Sequence, residues 1–157
     1  MAEIIILDEF GAELLRVSTP DGSNGLADVV LEGAHLSGAQ LANCNLKGAD
    51  LYWAHLDGAD LQGANLEWAV LRGANLTEAN LQNANLRNAD LGLDNLGGSV
   101  SLDGADLRCT DLRWTKLSGA TYDEKTRFPD HFDPMKAGMR LTGRTSPSQM
   151  RRRPLAS

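Results

Sequence analysis

The sequence is poor in the residues that build most active sites and membrane spans. Its 157 residues include two cysteines, three histidines and 5% aromatic residues. No apolar segment approaches the length of a membrane span. The run Ile4–Leu7 is too short for a secretion signal, and the residues before it carry an acid rather than a base. We therefore expect one cytoplasmic domain with no disulfide scaffold.

Leucine recurs at every fifth residue over most of the chain. The first run, Leu26 to Leu96, holds fifteen leucines, and the second, Leu102 to Leu117, holds four after one additional residue. Tyr122 continues the same spacing. Two positions before these twenty residues, Ala is found thirteen times, and the residue between is usually Asn or Asp. The repeating unit is therefore Ala-(Asn/Asp)-Leu-x-x.

A period of five fits neither a helix nor a flat strand. In an α-helix, five residues turn each leucine by about 140°, which leaves no buried stripe. In a strand, odd spacing places successive leucines on opposite faces. A chain that turns after every unit can direct all its leucines towards one axis. The spacing therefore predicts a solenoid whose coils stack like a parallel sheet, about 4.8 Å apart.

Units such as Ala59-Asp60-Leu61-Gln62-Gly63 resemble the pentapeptide-repeat family. The resemblance implies an all-β fold, a right-handed quadrilateral parallel β-helix with four units per coil, about five coils and a cap at each end. It places the central leucines inside, among them Leu36, Leu46, Leu56, Leu66, Leu76, Leu86 and Leu107. The stretch Gly119–Pro129 with Phe132-Asp133-Pro134 is similar to the terminal segment of cyanobacterial members, so we expect a cyanobacterial source.

Composition divides the chain into four segments. Residues 1–23, with charge −4, contain two apolar runs that predict a hairpin cap. Residues 24–124, with charge −8, form the solenoid, and residues 125–139 form the second cap, with turns and a short helix expected over 121–139. Residues 140–157 predict a disordered basic tail, and residues 125–157 together carry +6.

The residues offer little for catalysis. His35 and His55 should stack on neighbouring coils, but no carboxylate accompanies them as a third metal ligand. Ser99 follows a glycine pair that lacks the lysine of a phosphate-binding loop, and there is no nucleophile elbow. Cys44 should point inward and Cys109 outward, too far apart to pair. We expect no enzyme activity, cofactor, metal or small-molecule substrate.

Large apolar residues fall at the coil corners and form the candidate binding surface. One additional residue before Leu102 would align Trp53, Leu93 and Trp114 in one column, with Tyr52 beside it and Trp68 at the neighbouring corner. Clustered exposed aromatics mark contact surfaces, although rings lying flat over the backbone would be purely structural. The candidate partner-binding residues are Tyr52, Trp53, Trp68, Leu93 and Trp114.

Residues 92–100 interrupt the pattern. Asp94 takes the place of an inward Ala, and an isolated buried carboxylate is costly. We expect the coil to bulge so that Asp94 accepts hydrogen bonds from backbone N–H groups. A partner-binding bulge beside Leu93 is the alternative.

We predict a non-enzymatic protein-interaction module or scaffold, monomeric or homodimeric, that binds an unknown protein through its rigid faces. One alternative is an acidic DNA mimic that binds DNA gyrase, as the resemblance implies for the quinolone-resistance members, or another nucleic-acid-binding protein. Basic residues such as Arg72 and Arg87 interrupt the acidic field. Another, implied by the resemblance to cyanobacterial members, is regulation of cyanobacterial cell differentiation by protein contact. We expect neither nucleic acid nor a membrane as partner, although contact through Arg151–Arg153 stays open.

Overall fold

The computed structural model describes residues 2–19 and 25–143 and contains no helix within them. Its strands are β1 (Ala2–Leu7), β2 (Glu13–Thr19), β3 (Thr121–Tyr122) and β4 (Arg140–Leu141). Strands β1 and β2 pair antiparallel, with Ile4 opposite Val17. The Asp8 carboxylate closes their turn by accepting the N–H groups of Phe10 at 2.9 Å and Ala12 at 2.8 Å.

Between the hairpin and β3 the chain winds into coils joined by parallel bridges. The bridges link residues twenty apart, as in Val30, Asp50, Val70 and Asp90. Below the last coil, each inner leucine donates its N–H to the coil above, as Leu51 does to the Val70 carbonyl at 2.8 Å, and Asp50 donates to the Val29 carbonyl below, also at 2.8 Å. Four five-residue units therefore complete one coil, as a parallel ladder requires.

The four faces of the solenoid can be defined by their leucines. The first face contains Leu26, Leu46, Leu66, Leu86 and Leu112; the second contains Leu31, Leu51, Leu71, Leu91 and Leu117. The third contains Leu36, Leu56, Leu76 and Leu102; the fourth contains Leu41, Leu61, Leu81 and Leu107.

Leucine and alanine fill the interior. The seven leucines that we place in the core have no exposed surface: Leu36, Leu46, Leu56, Leu66, Leu76, Leu86 and Leu107. The alanines two positions before them, such as Ala59 and Ala64, are equally buried, since a second inward side chain must be small. Each buried leucine contributes about 1.5–3 kcal/mol.

Most corners are β-turns with one residue in the left-handed region, and the corner at Leu93 is an exception. The Ala54 N–H donates to the Leu51 carbonyl at 3.0 Å across such a turn. The second residue after the leucine takes the positive φ, which glycine adopts freely and other residues adopt at a cost of about 1–2 kcal/mol. All three tryptophans occupy this position, with φ of 55° at Trp53, 63° at Trp68 and 59° at Trp114.

One coil is longer than the others. Its bridges join Asn75 to Ser101 and Asp90 to Lys116, a spacing of 26 residues, so residues 94–99 are an insertion of six rather than one. The five-residue spacing predicts Leu96 inside, and this is wrong: Leu96 is 88% exposed. The chain leaves the coil at Asp94, whose N–H donates to the Gly98 carbonyl at 2.9 Å, and the interior resumes at Val100.

Terminal segments pack on both ends of the solenoid. At the first end, the Leu7 carbonyl accepts the Gln40 N–H at 2.8 Å and Ile6 is buried. At the other, the Phe128 ring contacts Tyr122 and Phe132 at centroid distances of 5.4 and 5.2 Å.

Two expectations for the second end are wrong. The segment 121–139 contains turns but no helix, because its N–H groups bond to turn carbonyls and to the Asp133 carboxylate. The expected disorder from Arg140 is also wrong, since β4 pairs in parallel with β3. The remainder of that tail, 144–157, lies outside the described residues.

Candidate functional site

The long coil changes which aromatic residues share a corner. Trp53 and Leu93 lie in one column on the second face, separated by Gly73, and Gly119 follows Leu93. Trp114 does not join them. It lies on the first face above Asn88 and Trp68, because the six-residue insertion moves every later unit by one face. The single column predicted for Trp53, Leu93 and Trp114 is therefore corrected.

Trp53 holds the insertion against the coil. Its indole Nε1 donates to Asp94 Oδ2 at 2.9 Å, and the Tyr52 hydroxyl reaches the same oxygen at 3.5 Å. A methyl group at Gly73 would lie 2.8 Å from the indole, and one at Gly98 would lie 2.7 Å from it. The ring therefore lies over two glycines and protects backbone, the structural role considered for these side chains.

Asp94 is the acceptor that organises the insertion. It is 7% exposed, and its Oδ1 accepts the N–H groups of Leu96 at 2.8 Å and Gly98 at 2.6 Å. Burial raises the pKa of this carboxyl, but hydrogen bonds from Gly98, Leu96 and Trp53 lower it, and the net pKa lies below its usual range. The expected backbone bonding of Asp94 is observed.

Replacing Asp94 with Ala or Asn should lower the free energy of unfolding by about 2–3 kcal/mol, because two backbone donors and the indole lose an anionic acceptor. The stabilisation should be present at neutral pH and fade as pH falls below about 4, since the folded pKa is depressed. Denaturant unfolding followed by tryptophan fluorescence, at neutral and at acidic pH, measures both the loss of stability and its dependence on pH. Asn95→Ala, an exposed change in the same insertion, is the control, and unchanged or increased stability of the Asp94 variants would contradict this role.

The first face carries the most exposed aromatic surface of the solenoid. Trp68 is 58% exposed and Trp114 is 67% exposed. The Arg87 guanidinium carbon lies 5.2 Å from the Trp114 ring centroid, and that of Arg113 lies 5.9 Å from it. We call Trp68, Arg87, Asn88, Arg113 and Trp114 the tryptophan corner.

Ion pairs fix the charges around this corner. Arg113 binds Asp111 at 2.6 Å, and this guanidinium holds the pKa of Asp111 at about 2. On the second face, Arg72 and Lys116 bind Asp90 at 2.6 and 3.0 Å. Burial raises the pKa of Asp90, but these two cations outweigh it and bring the pKa to about 2. The acids are largely covered, while the side chains of Arg113 and Lys116 are 64% and 68% exposed.

The third face is acidic instead. Asp57, Glu78 and Asp103 form no ion pair among the described residues. Asp57 accepts hydrogen bonds from Ser37 and Asn75, and Asp103 accepts one from Thr142. Acids without an ion pair therefore gather on this face, whereas the first and second faces mix acids and cations, which the sequence alone does not show.

The histidines and cysteines form no catalytic constellation in residues 2–19 and 25–143. His35 and His55 stack with centroids 4.9 Å apart, and no cluster of three metal-ligating side chains occurs in this part of the chain. Both cysteines are free; burial raises the pKa of the Cys44 thiol, and Cys109 is exposed. The same segments hold no helix long and apolar enough to cross a bilayer.

Comparison with known proteins agrees with this architecture. The profile of the pentapeptide repeats matches residues 26–63, 59–92 and 99–121, in eight copies. No curated protein matches the sequence. Among solved structures, alr5209 of Nostoc PCC 7120 is 35% identical over 72% of this chain and 84% of its own, with a TM-score of 0.27. Rfr23 of Cyanothece 51142 is 38% identical over 70% and 71%, with a TM-score of 0.32.

HetL of Nostoc sp. strain PCC 7120, a pentapeptide repeat protein involved in heterocyst differentiation regulation, is 26% identical over 71% of this chain and 59% of its own, with a TM-score of 0.38. The repeats imply a right-handed β-helix, in keeping with the parallel bridges and the absence of helix in the described residues. On its repeat units and its cyanobacterial relatives, the chain belongs to the pentapeptide repeat family.

Proposed function

We propose that this protein is a non-enzymatic interaction module that binds a partner protein through the tryptophan corner. Pentapeptide repeat proteins are generally structural or interaction modules. The proposed molecule is a cytoplasmic, right-handed β-helix of about five coils, capped by residues 1–23 and 125–139.

The observation that carries the proposal is the placement of Trp68 and Trp114. Both rings are more than half exposed, and both residues have a positive φ that costs about 1–2 kcal/mol each. Glycine would adopt the same backbone conformation at these turns without this strain. Strain combined with exposed aromatic surface is typical of binding sites, and Trp and Arg dominate the energetics of interfaces. A filled solenoid adds rigidity, so little conformational entropy is lost on binding.

The corner also differs from the Trp53 site. Trp53 lies over a glycine of the next coil and its indole N–H is bound, whereas the residue above Trp68 is Asn88. The indole N–H groups of Trp68 and Trp114 have no acceptor among the described residues. A partner can therefore bind both the ring surface and the polar edge of these two tryptophans.

Exchanging both tryptophans for Gly tests the proposal. Trp68→Gly/Trp114→Gly removes the rings and relieves the strained φ, so thermal stability should stay equal or rise. Partner binding should fall at least about tenfold. Proximity labelling in the native host identifies partners, and affinity for each purified partner is then measured for every variant. Asn43→Gly/Asn83→Gly, at the same turn position of the fourth face, is the matched control. Unchanged affinity of the tryptophan variant would reject this surface.

The acidic third face favours a second candidate, binding of a nucleic-acid-binding protein such as DNA gyrase. Asp57, Glu78 and Asp103 present negative charge along one side without counter-ions from the described residues. The same affinity measurement separates the two. If Asp57→Asn/Glu78→Gln/Asp103→Asn abolishes binding and the glycine exchange does not, the acidic face is the binding surface.

A further inference from the structure

Part of the backbone edge of the last coil has no partner among the described residues. In the coil beneath, the N–H groups of Leu86, Asn88 and Leu91 donate upward at 3.0, 3.2 and 2.9 Å. The corresponding donors of the last coil are Leu112, Trp114 and Leu117, and none of them has a partner in residues 2–19 or 25–143.

The matching acceptors are also vacant. Asp111 and Lys116 donate down to the carbonyls of Ala84 and Ala89 at 2.9 and 3.0 Å. The equivalent carbonyls one coil higher are those of Thr110 and Thr115, and no described group donates to them. Buried or half-buried backbone groups are almost always paired, so this edge is a ready template for a further strand.

On the other two faces the edge is covered. The N–H groups of Leu102 and Leu107 donate to Thr121 and Arg127 at 2.9 and 2.7 Å, and Arg140 in β4 continues the ladder by donating to Ala120 at 2.8 Å. The opening is therefore confined to the first and second faces of the last coil, directly beside Trp114.

The opening is a cleft rather than a flat end. Residues 110–113 form one wall, and residues 129–132 of the terminal segment form the other. On the second face, residues 115–118 line a separate hollow with Ala137 and with Arg72, Asp90, Gly92 and Leu93 of the coils beneath. We call the open edge over residues 110–117, together with the cleft beside residues 110–113, the edge groove. A whole solenoid end cannot lie flat on an edge that is flanked in this way, but a single extended segment fits.

The geometry points to β-strand addition: the edge groove receives an extended segment of a partner protein that pairs in parallel, as a further coil would. The inference rests on the proposed function and names the chemistry that the partner supplies. In the register of the stack, a segment residue above Asp111 accepts the Leu112 N–H and donates to the Thr110 carbonyl. The residue two further on accepts the Trp114 N–H, and the residue five further on repeats the pattern at Leu117 and Thr115.

The same register fixes the side chains of the segment. Its residue above Leu112 points inward, where Leu112 is half-buried although Leu46, Leu66 and Leu86 of the same face are fully buried. An apolar residue there would cover Leu112, whereas five positions later the segment meets Leu117, which is already buried at 4% exposure. Arg113 and Lys116 are exposed cations of this edge, so acidic residues of the segment are favoured above them. Asp130 is the exposed acid on the opposite wall.

This chemistry distinguishes the partner from the protein's own tail. Residues 144–157 contain four arginines and no acid, so they lack the acidic groups that Arg113 and Lys116 favour. A second copy of the chain would have to insert a free extended segment, whereas the solenoid offers closed coils. A separate acidic and apolar strand matches both the unpaired backbone and the exposed charge.

A synthetic peptide of two Ala-Asp-Leu-Glu-Gly units is the probe, because it places Leu, acid and a turn glycine in the required register. We expect saturable binding to the full chain with a Kd below about 1 mM, with shifts and slowed exchange at the Leu112, Trp114 and Leu117 amides in NMR spectra. Peptides with Lys in place of the acids, or with N-methyl groups on the two Asp residues, should bind at least about tenfold more weakly.

Arg113→Gln/Lys116→Gln should weaken the acidic peptide about tenfold. Arg108→Gln/Lys125→Gln is the matched control, since Arg108 binds Asp106 as Arg113 binds Asp111 and the change in charge is equal. Absence of binding, or amide shifts centred on another face, would overturn the inference. So would protection of the three amides that vanishes on truncation after Gly143, or that depends on protein concentration, since these outcomes assign the groove to the tail or to a second copy.

The two proposals fail separately. If the Trp68→Gly/Trp114→Gly variant loses its native partner but the peptide does not bind, strand addition is wrong and the interaction function stands. If the peptide binds the edge groove but no partner depends on the tryptophans, the proposed docking corner is wrong.

Discussion

Leu76→Ala is expected to lower the free energy of unfolding by about 2–5 kcal/mol, whereas Leu96→Ala should change it by less than about 0.5 kcal/mol. Both leucines lie on the same five-residue spacing and both sit near the long coil. Leu76 has no exposed surface, and Leu96 is 88% exposed. The pair therefore separates the effect of the repeat pattern from the effect of burial.

Truncation of Leu76 leaves a cavity that the stacked coils above and below cannot close without breaking their ladder. The Leu76 N–H donates to the Ser101 carbonyl at 2.9 Å, which holds its backbone in place. The cost therefore includes both the lost transfer free energy and the cavity. Urea unfolding of the two variants and the parent chain provides the measurement. Similar losses for both leucines would mean that the insertion packs inward.

The five-residue spacing predicts most of the solenoid because its physical cause is local. Each turn of the chain needs one large inward side chain and one small one, and the sequence shows both at Leu61 and Ala59, for example. The hairpin strands likewise coincide with the two apolar runs before residue 20. In both cases the residues that determine the structure are neighbours in sequence.

The length of the insertion could not be predicted from the five-residue spacing of the leucines. An insertion of one residue and an insertion of six residues give the later leucines the same five-residue spacing. The two lengths differ by one repeat unit, however, and therefore place every later unit on a different face. Leu96 fits the five-residue spacing although its side chain lies outside the core. The signal was Asp94, which replaces an inward Ala and gains two backbone donors and an indole donor by leaving the coil. The insertion thereby satisfies the Asp94 carboxylate and leaves Leu96 exposed.

That difference of one face decided the candidate site. With one additional residue Trp114 joins Trp53, and with six it joins Trp68. The sequence therefore identified the aromatic residues but not their grouping. The edge groove could not be predicted from the sequence either. The Leu112 N–H has no partner among the described residues because of the path that the terminal segment takes across the last coil. That path depends on tertiary contacts such as the one between Phe128 and Phe132.

The charge pattern shows the same limit. Arg72, Arg87, Arg113 and Lys116 interrupt the acidic field in sequence, and in space they all lie on the first and second faces. The cations of these repeat units therefore lie away from the acids of the third face. Face assignment, which requires the correct register, therefore distinguishes faces that mix acids with cations from a third face whose acids form no ion pair among the described residues.

Gly73→Ala is expected to be far more damaging than Gly58→Ala, although both change a turn glycine of similar φ. Gly73 has φ +71° and Gly58 has φ +66°, so both variants strain the backbone by about 1–2 kcal/mol. At Gly58 a methyl group meets open space, but at Gly73 it would lie 2.8 Å from the indole of Trp53. Overpacking adds about 1–3 kcal/mol, for a total of about 2–5 kcal/mol at Gly73.

A double-mutant cycle isolates the ring contact. In a Trp53→Gly background the cost of Gly73→Ala should fall to that of Gly58→Ala, because the indole is no longer present, and the coupling between positions 53 and 73 should then be about 1–3 kcal/mol. Urea unfolding of the four combinations, with Gly58→Ala in both backgrounds as the control, gives this coupling. If Gly73→Ala and Gly58→Ala lower the free energy of unfolding equally, the Trp53 ring does not lie over Gly73. The ring position from which Trp53 donates to Asp94 would then be wrong.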